Sequence, residues 1–251
     1  MPSYYSTQSK LRGGYYDVLN CYGVTTMLGS VKTESLNLRG HLNGNYNLFA
    51  RSLRGTGALR VAKLQCNTAV WYGSSSVRCF MQVGKFLALY GNFIGEGGIV
   101  CPVVKMDGSI IYNGRITASE ITARGEISLG TFEAADIRIE ISRASRCTSV
   151  FGKRVVVTHR IPTVFERLFL PPQVTQHMIL TVATGIEGEY VSLENVIADR
   201  VSGNDVIIGP GCRINRVFYR DHIYIDENAY VEWYEPLPDT PGGNPEGRRP
   251  E

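Results

Sequence analysis

The stretch "GSIIYNGRITASEITAR" (residues 108–124) decides the fold, because the chain repeats its pattern before and after it. The segment that follows, "GEISLGTFEAADIRIEI" (125–141), and the segment that precedes, "GNFIGEGGIVCPVVKMD" (91–107), have the same length, and both begin with glycine and soon reach a β-branched residue. A fixed period of this length indicates a repeat architecture, in which each repeat packs only on its neighbours.

Two columns of like residues share the period of 17. Glycine stands at positions 23, 40, 57, 91, 108 and 125, and the missing member, position 74, is serine with a glycine beside it. The second column is aliphatic and consists of Leu36, Leu53, Val70, Leu87, Val104 and Ile121. Two columns in one register indicate that every repeat presents the same residue types to the next one, with glycine at a corner and the aliphatic side chain in the core.

The period and the pattern within it predict an all-β fold. Apolar and polar residues alternate within each repeat as in strands, and residues 108–141 lack the i, i+3, i+4, i+7 spacing of a helix. Each repeat then forms one three-sided rung of a single parallel β-helix, with ~17 residues per rung and about ten rungs. The alternative, a left-handed hexapeptide helix with turns of ~18 residues, requires a six-residue subperiod that the sequence does not show.

The repeat pattern is absent from both ends of the chain and from one internal segment. We expect a flexible N-terminal tail at 1–12, the β-helix at 13–234 and a disordered, proline-rich tail at 235–251. Within the β-helix the repeat fails near 142–178, where we expect an irregular excursion. Its segment 161–172 has clustered apolar residues between prolines and basic residues around it. This segment either packs on the solenoid or contacts a membrane or a partner.

Composition limits the classes of function. Lys and Arg number 26 and Asp and Glu 23, so no excess of positive charge favours nucleic-acid binding. No apolar run is long enough for a transmembrane helix, and the first residues lack the apolar core of a signal peptide. The six cysteines form no CxxC pair and have no zinc spacing. They are typical of buried, reduced thiols in a cytoplasmic protein, and an extracellular disulfide framework is the alternative.

Two stretches resemble a known family. "GGYYDVLNCYGVTTMLGSV" (13–31) and "GIEGEYVSLENVIADRVSGNDVIIGPGCRI" (185–214) are similar to the bactofilins, the polymer-forming cytoskeletal proteins of bacteria, and to their longer Gram-positive members. The resemblance implies a right-handed β-helix that assembles end to end into filaments without nucleotide. It also implies a scaffold for cell-shape, envelope or motility machinery in the cytoplasm or at the inner face of the membrane. The implied partners are copies of the chain itself, a paralogous bactofilin as co-polymer, and membrane-associated machinery.

The ends of the predicted β-helix carry no polar cap. The coil begins with "YYDVLNCY" (15–22) and finishes with "DHIYIDENAYVEWY" (221–234), and uncapped solenoid ends favour association. The predicted polymer interface therefore consists of Tyr16 and Val18 at one end and of Tyr224, Tyr230 and Trp233 at the other.

A β-helical carbohydrate-active or carbohydrate-binding protein is the alternative function. Such an enzyme groups its carboxylates in a groove, and among the regular repeats only Asp17 and Glu34 are acidic residues 17 apart. Arg51 follows in the same column, which favours a surface charge ladder. "GEGG" (95–98) lacks the lysine of a nucleotide-binding loop, and the four histidines have no catalytic partners, except that His222 and Asp205 form a candidate surface pair. We therefore expect no catalytic residues, cofactor, metal, nucleotide or nucleic acid.

Overall fold

The computed structural model describes residues 3–159 and 178–237, which form ten strands and no helix. The strands are β1 Ser3–Leu11, β2 Gly14–Met27, β3 Val31–Asn43, β4 Asn47–Val100, β5 Val103–Ile141, β6 Ser145–His159, β7 Leu180–Leu193, β8 Val196–Ile208, β9 Arg213–Ile225 and β10 Tyr230–Pro236. Each strand pairs in parallel with the next one in a single sheet. The result is a β-solenoid of about 12 turns that are ~17 residues apart, which confirms the predicted parallel β-helix.

The core is a column of inward-facing side chains that runs the length of the coil. Leu19 pairs with Leu36, and Leu36 pairs with Leu53. Near the other end, Leu193 pairs with Ile208. The side chains of Leu36, Leu53, Leu87, Val104 and Ile121 are all at most 2% exposed. Because successive side chains of a strand point to opposite faces, one inward residue in each turn fixes the direction of its neighbours.

Val70 is the one member of the predicted column that does not lie in the core. It is half-buried, and Ala69 is buried in its place. The corner of this turn is Gly73, so the turn that starts at Gly57 is shorter than the regular period, and the next one, to Gly91, is longer. The shift buries Trp71, whose ring occupies the space that a side chain at Gly55 would need. A strict period of 17 therefore predicted the wrong residue at this turn.

Glycine is required at the corner column because the corners of successive turns touch. Gly108 has φ +134°, and a Cβ atom there would collide with the carbonyl oxygen of Gly91. Gly125 has φ +117° and the same relation to Gly108. Side chains rarely adopt this backbone conformation, so both the torsion angle and the lack of space select glycine.

The coil is longer than predicted at its N-terminal end. Residues 1–12 were expected to be a flexible tail, but Ser3–Leu11 form β1, which pairs with β2 from Val18 to Met27. The repeat pattern did not reveal β1, because Tyr4 and not an aliphatic residue is the register partner of Leu19. At the other end, β10 continues to Pro236, and the remainder of the predicted tail, 238–251, lies outside the described residues.

The predicted excursion is also shorter than 142–178. Strand β6 (Ser145–His159) is a regular turn of the coil, and its residue Ser145 pairs directly with Leu180 of β7. The solenoid is thus continuous across the interruption, and segment 161–172 lies outside the described residues. With β1 and β6, which the repeat pattern did not reveal, the predicted ten turns become about 12.

Replacing Leu87 with aspartate should abolish the folded state. Leu87 is fully buried and pairs with Val104. The substitution removes an apolar contribution of about 1.5–3 kcal/mol and buries a carboxylate without a partner. We expect loss of the cooperative thermal transition in circular dichroism, whereas Asn92→Asp, on the exposed side of the same turn, should melt like the parent chain. A cooperative melt of Leu87→Asp at the parent temperature would contradict the register.

Candidate assembly interface

The C-terminal end of the coil is an incomplete turn. β10 pairs with β9 from Arg213 to Tyr219, and the amide of Leu237 donates a 2.6 Å hydrogen bond to the carbonyl of Tyr219. Beyond this point, residues 220–225 of β9 have no further strand on them within the described chain. In the part of the chain that the structure describes, the end of the solenoid is therefore a step, with half of its last turn covered and half open.

At this incomplete last turn, three apolar side chains that point toward the core are partly exposed. Ile223, Ile225 and Val231 pack against the core but remain half-buried. Their counterparts one turn earlier are Val206, Ile208 and Ile214, which are at most 1% exposed. The difference arises because the earlier residues have a turn on both sides and the last ones have a turn on one side. These three apolar side chains and the adjacent backbone edge are hereafter called the C-terminal step.

The predicted interface residues of this end lie on its outer wall. Tyr224 is 58% exposed, Tyr230 61% and Trp233 45%. Trp233 packs edge-on against Phe218, with 5.7 Å between the ring centroids. The alternation of the strands turns Tyr224 and Tyr230 outward between inward-facing neighbours, so these rings surround the C-terminal step. Ile223, Ile225 and Val231 were not predicted from the sequence as interface residues. One signal was the spacing of 17 between Ile208 and Ile225, which indicates that Ile225 belongs to a core column.

The two residues predicted for the N-terminal interface have different surroundings. Tyr16 is half-buried, and its hydroxyl donates a 3.0 Å hydrogen bond to the carbonyl of Arg12. Val18 pairs with Ser3 of β1 on one side and with Ser35 on the other. Val18 is therefore inside the coil wall and not at its edge, because β1 adds a turn that the sequence did not predict.

The charged pairs predicted from the period are present on the outer wall. Arg51 lies 3.7 Å from the Glu34 carboxylate, in the column that also contains Asp17. His222 Nδ1 lies 2.8 Å from an Asp205 carboxylate oxygen. Exposed pairs of this kind contribute little to stability. Across the described ranges, His, Cys, Asp and Glu side chains form no group of three that could hold a metal ion.

Cys21, Cys66, Cys101, Cys147 and Cys212 are buried and unbridged. Burial raises the pKa of the Cys66 and Cys147 thiols to about 12. It raises the pKa of Cys212 to about 11, although nearby backbone amides act in the opposite direction. Because the thiolate is the reactive form, burial lowers the reactivity of these three thiols at neutral pH.

Comparison with known proteins gives no relatives. No protein family, curated protein or solved structure matches the chain. In the two described segments there is also no helix that is long and apolar enough to cross a membrane. We therefore infer function from the geometry of the coil.

Burial of the thiols predicts that a Cys79→Ser variant of the native protein does not react with Ellman's reagent at pH 8. The five remaining cysteines should react together in denaturant, because their reactivity requires unfolding. Absorbance of the released thiolate after addition of the reagent measures the reaction. Rapid reaction of one thiol in the native state would show that part of the coil opens.

Proposed function

We propose that the chain is a non-enzymatic scaffold whose solenoids associate end to end into filaments without nucleotide. The observation that carries this proposal is the C-terminal step, where core side chains and the backbone edge of residues 220–225 lack a covering turn in the described chain. An uncovered strand edge presents unpaired amide and carbonyl groups, which favour addition of another strand. Monomeric solenoids normally carry a polar cap at this position.

A second copy of the chain is the partner that fits the step. The fold already stacks one turn on the edge of the next along its whole length, and in a contact between like ends the two strand edges would run antiparallel. In a twofold contact, the covered half of one step faces the open half of the other. Each contact then buries Ile223, Ile225 and Val231 of both copies and supplies partners for both backbone edges.

The resemblance to bactofilins adds the cellular role to this proposal. It implies contacts between like ends, N-terminal with N-terminal and C-terminal with C-terminal, so that the filament has no polarity. It further implies a cytoplasmic scaffold for cell-shape, envelope or motility machinery, built from this chain alone or with a paralogue. The C-terminal step of the described chain supports assembly, whereas the cellular role comes from the resemblance alone.

The proposal predicts that Ile223→Lys prevents filament growth. The lysine places a charge in the contact, where it is desolvated and, in a twofold arrangement, faces its own copy. Ile111→Lys is the matched control, because Ile111 is 50% exposed on the wall in the middle of the coil. Light scattering after size-exclusion chromatography should show large assemblies for the parent and the control and a small species for Ile223→Lys. All three proteins should have the same β-sheet circular dichroism spectrum.

The size of the blocked species distinguishes the modes of contact. Folded dimers of Ile223→Lys would support like-end contacts, because the N-terminal contact remains, and monomers would support head-to-tail contacts. A further variant that ends at Leu237 tests whether residues 238–251 take part, and it should assemble like the parent. Filaments of Ile223→Lys that match those of the parent would contradict a contact at the C-terminal step.

A further inference from the structure

A groove crosses the outer wall of the coil far from the C-terminal step. It has a volume of about 380 Å³ and is lined by residues of successive turns in β4, β5 and β6. Tyr90 and Asp107 are register partners at one edge, and Glu140 and Thr158 are register partners at the other. Between them lie Glu120, Thr122 and Arg124 on the intervening turn.

Tyr90 forms a rigid aromatic wall of this groove. Its ring is stacked on that of Tyr72, with 4.7 Å between centroids and 9° between planes. Because Tyr72 covers one face of the ring, the other face of Tyr90 is directed toward the following turn, which carries Asp107 in the groove. An aromatic face held in this way can pack against an apolar ligand surface at little cost in side-chain entropy.

The charges of the groove balance, and two of its carboxylates are left without ion pairs. The cations Lys105, Arg124 and Arg138 face the anions Asp107, Glu120 and Glu140. Arg124 binds Glu140 at 3.0 Å, and Arg138 binds Asp136 beside the groove at 3.2 Å. Asp107 and Glu120 make no ion pair with any described residue. Carboxylates without ion pairs can accept hydrogen bonds from the hydroxyl groups of a ligand. Because the groove has no excess of positive charge, it does not favour a polyanionic ligand.

We propose that this groove binds a neutral oligosaccharide, with one sugar ring packed on Tyr90 beside Asp107 and the hydroxyl groups of a neighbouring sugar bonded to Glu120. A pyranose ring has an apolar C–H face and a rim of hydroxyls, which matches an aromatic face beside carboxylates. Because the free face of Tyr90 is directed along the coil axis, a sugar ring packed on it lies across that axis, and the neighbouring sugars of a linear chain extend along the strands of the wall. The site is independent of end-to-end assembly, because it lies on the wall of the coil, and it would attach the scaffold to a glycan.

Isothermal titration of the full chain with cello-, chito-, malto- and xylohexaose tests this proposal. At least one of the four should bind, and Tyr90→Ala should weaken that binding about tenfold. Asp107→Asn and Glu120→Gln should each weaken it by about the same factor. Tyr90→Phe should retain the affinity, since it keeps the aromatic face. Tyr46→Ala, which removes a tyrosine that is 41% exposed outside the groove, should also retain it.

Two results would overturn the proposal. One is failure of all four sugars to bind. The other is a bound sugar whose affinity is unchanged in both Tyr90→Ala and Glu120→Gln. Glu120→Gln keeps the shape of the side chain, so it tests the site even if Tyr90→Ala melts at a lower temperature than the parent. Binding of polylysine in place of the sugars would assign the groove to basic peptides and would equally refute the saccharide.

Discussion

Each turn of this protein must match the turns above and below it, because parallel pairing places equivalent residues about 4.8 Å apart along the whole coil. An inward leucine then contacts the inward residue of both neighbouring turns, as Leu36 contacts Leu19 and Leu53 by register. At the corner, the carbonyl oxygen of one glycine occupies the place of a side chain on the next, as with Gly91 and Gly108. The stacking of turns therefore explains why aliphatic residues and glycine recur at fixed positions in the sequence, as well as why the chain forms a coil.

The same constraint leads to the functional proposal. A turn in the middle of the coil buries its inward side chains because it has neighbours on both sides, and Val206 and Ile208 show the result. Ile223 and Ile225 are their equivalents at the end, and they remain half-buried because the covering turn is missing in the described chain. The surface with the complementary shape and pairing is the end of another solenoid. Assembly would then extend between molecules the contact that forms the core within each of them.

The sequence predicted the regular turns well and the irregular ones poorly. The column through Leu36 and Leu87 was visible because each of its residues has an equivalent 17 positions away. Val70 was misplaced because a short turn is followed by a long one, so that later turns return to register and the local shift leaves no trace in the period. Strand β1 was missed because its polar sequence has no aliphatic column, and β6 because it pairs with β5 at a spacing longer than the period, as Leu129 does with Cys147.

Side chains that meet across turns of unequal length could not be predicted. Tyr72 and Tyr90 lie in turns whose spacing departs from the period, so no column of period 17 joins them, yet their rings stack. The groove beside Tyr90 depends on this stack and on carboxylates from two further turns. The exposure of Ile223 and Val231 also needed the structure, because it depends on where β10 stops covering β9.

Electron cryo-microscopy of the purified full-length protein in the absence of nucleotide tests the central claim most directly. End-to-end assembly predicts unbranched filaments whose power spectrum has a meridional reflection at about 4.8 Å, with turns stacked across the subunit boundary at the C-terminal step. Separate rods of about 12 turns at all concentrations, with the C-terminal step in contact with solvent, would contradict it.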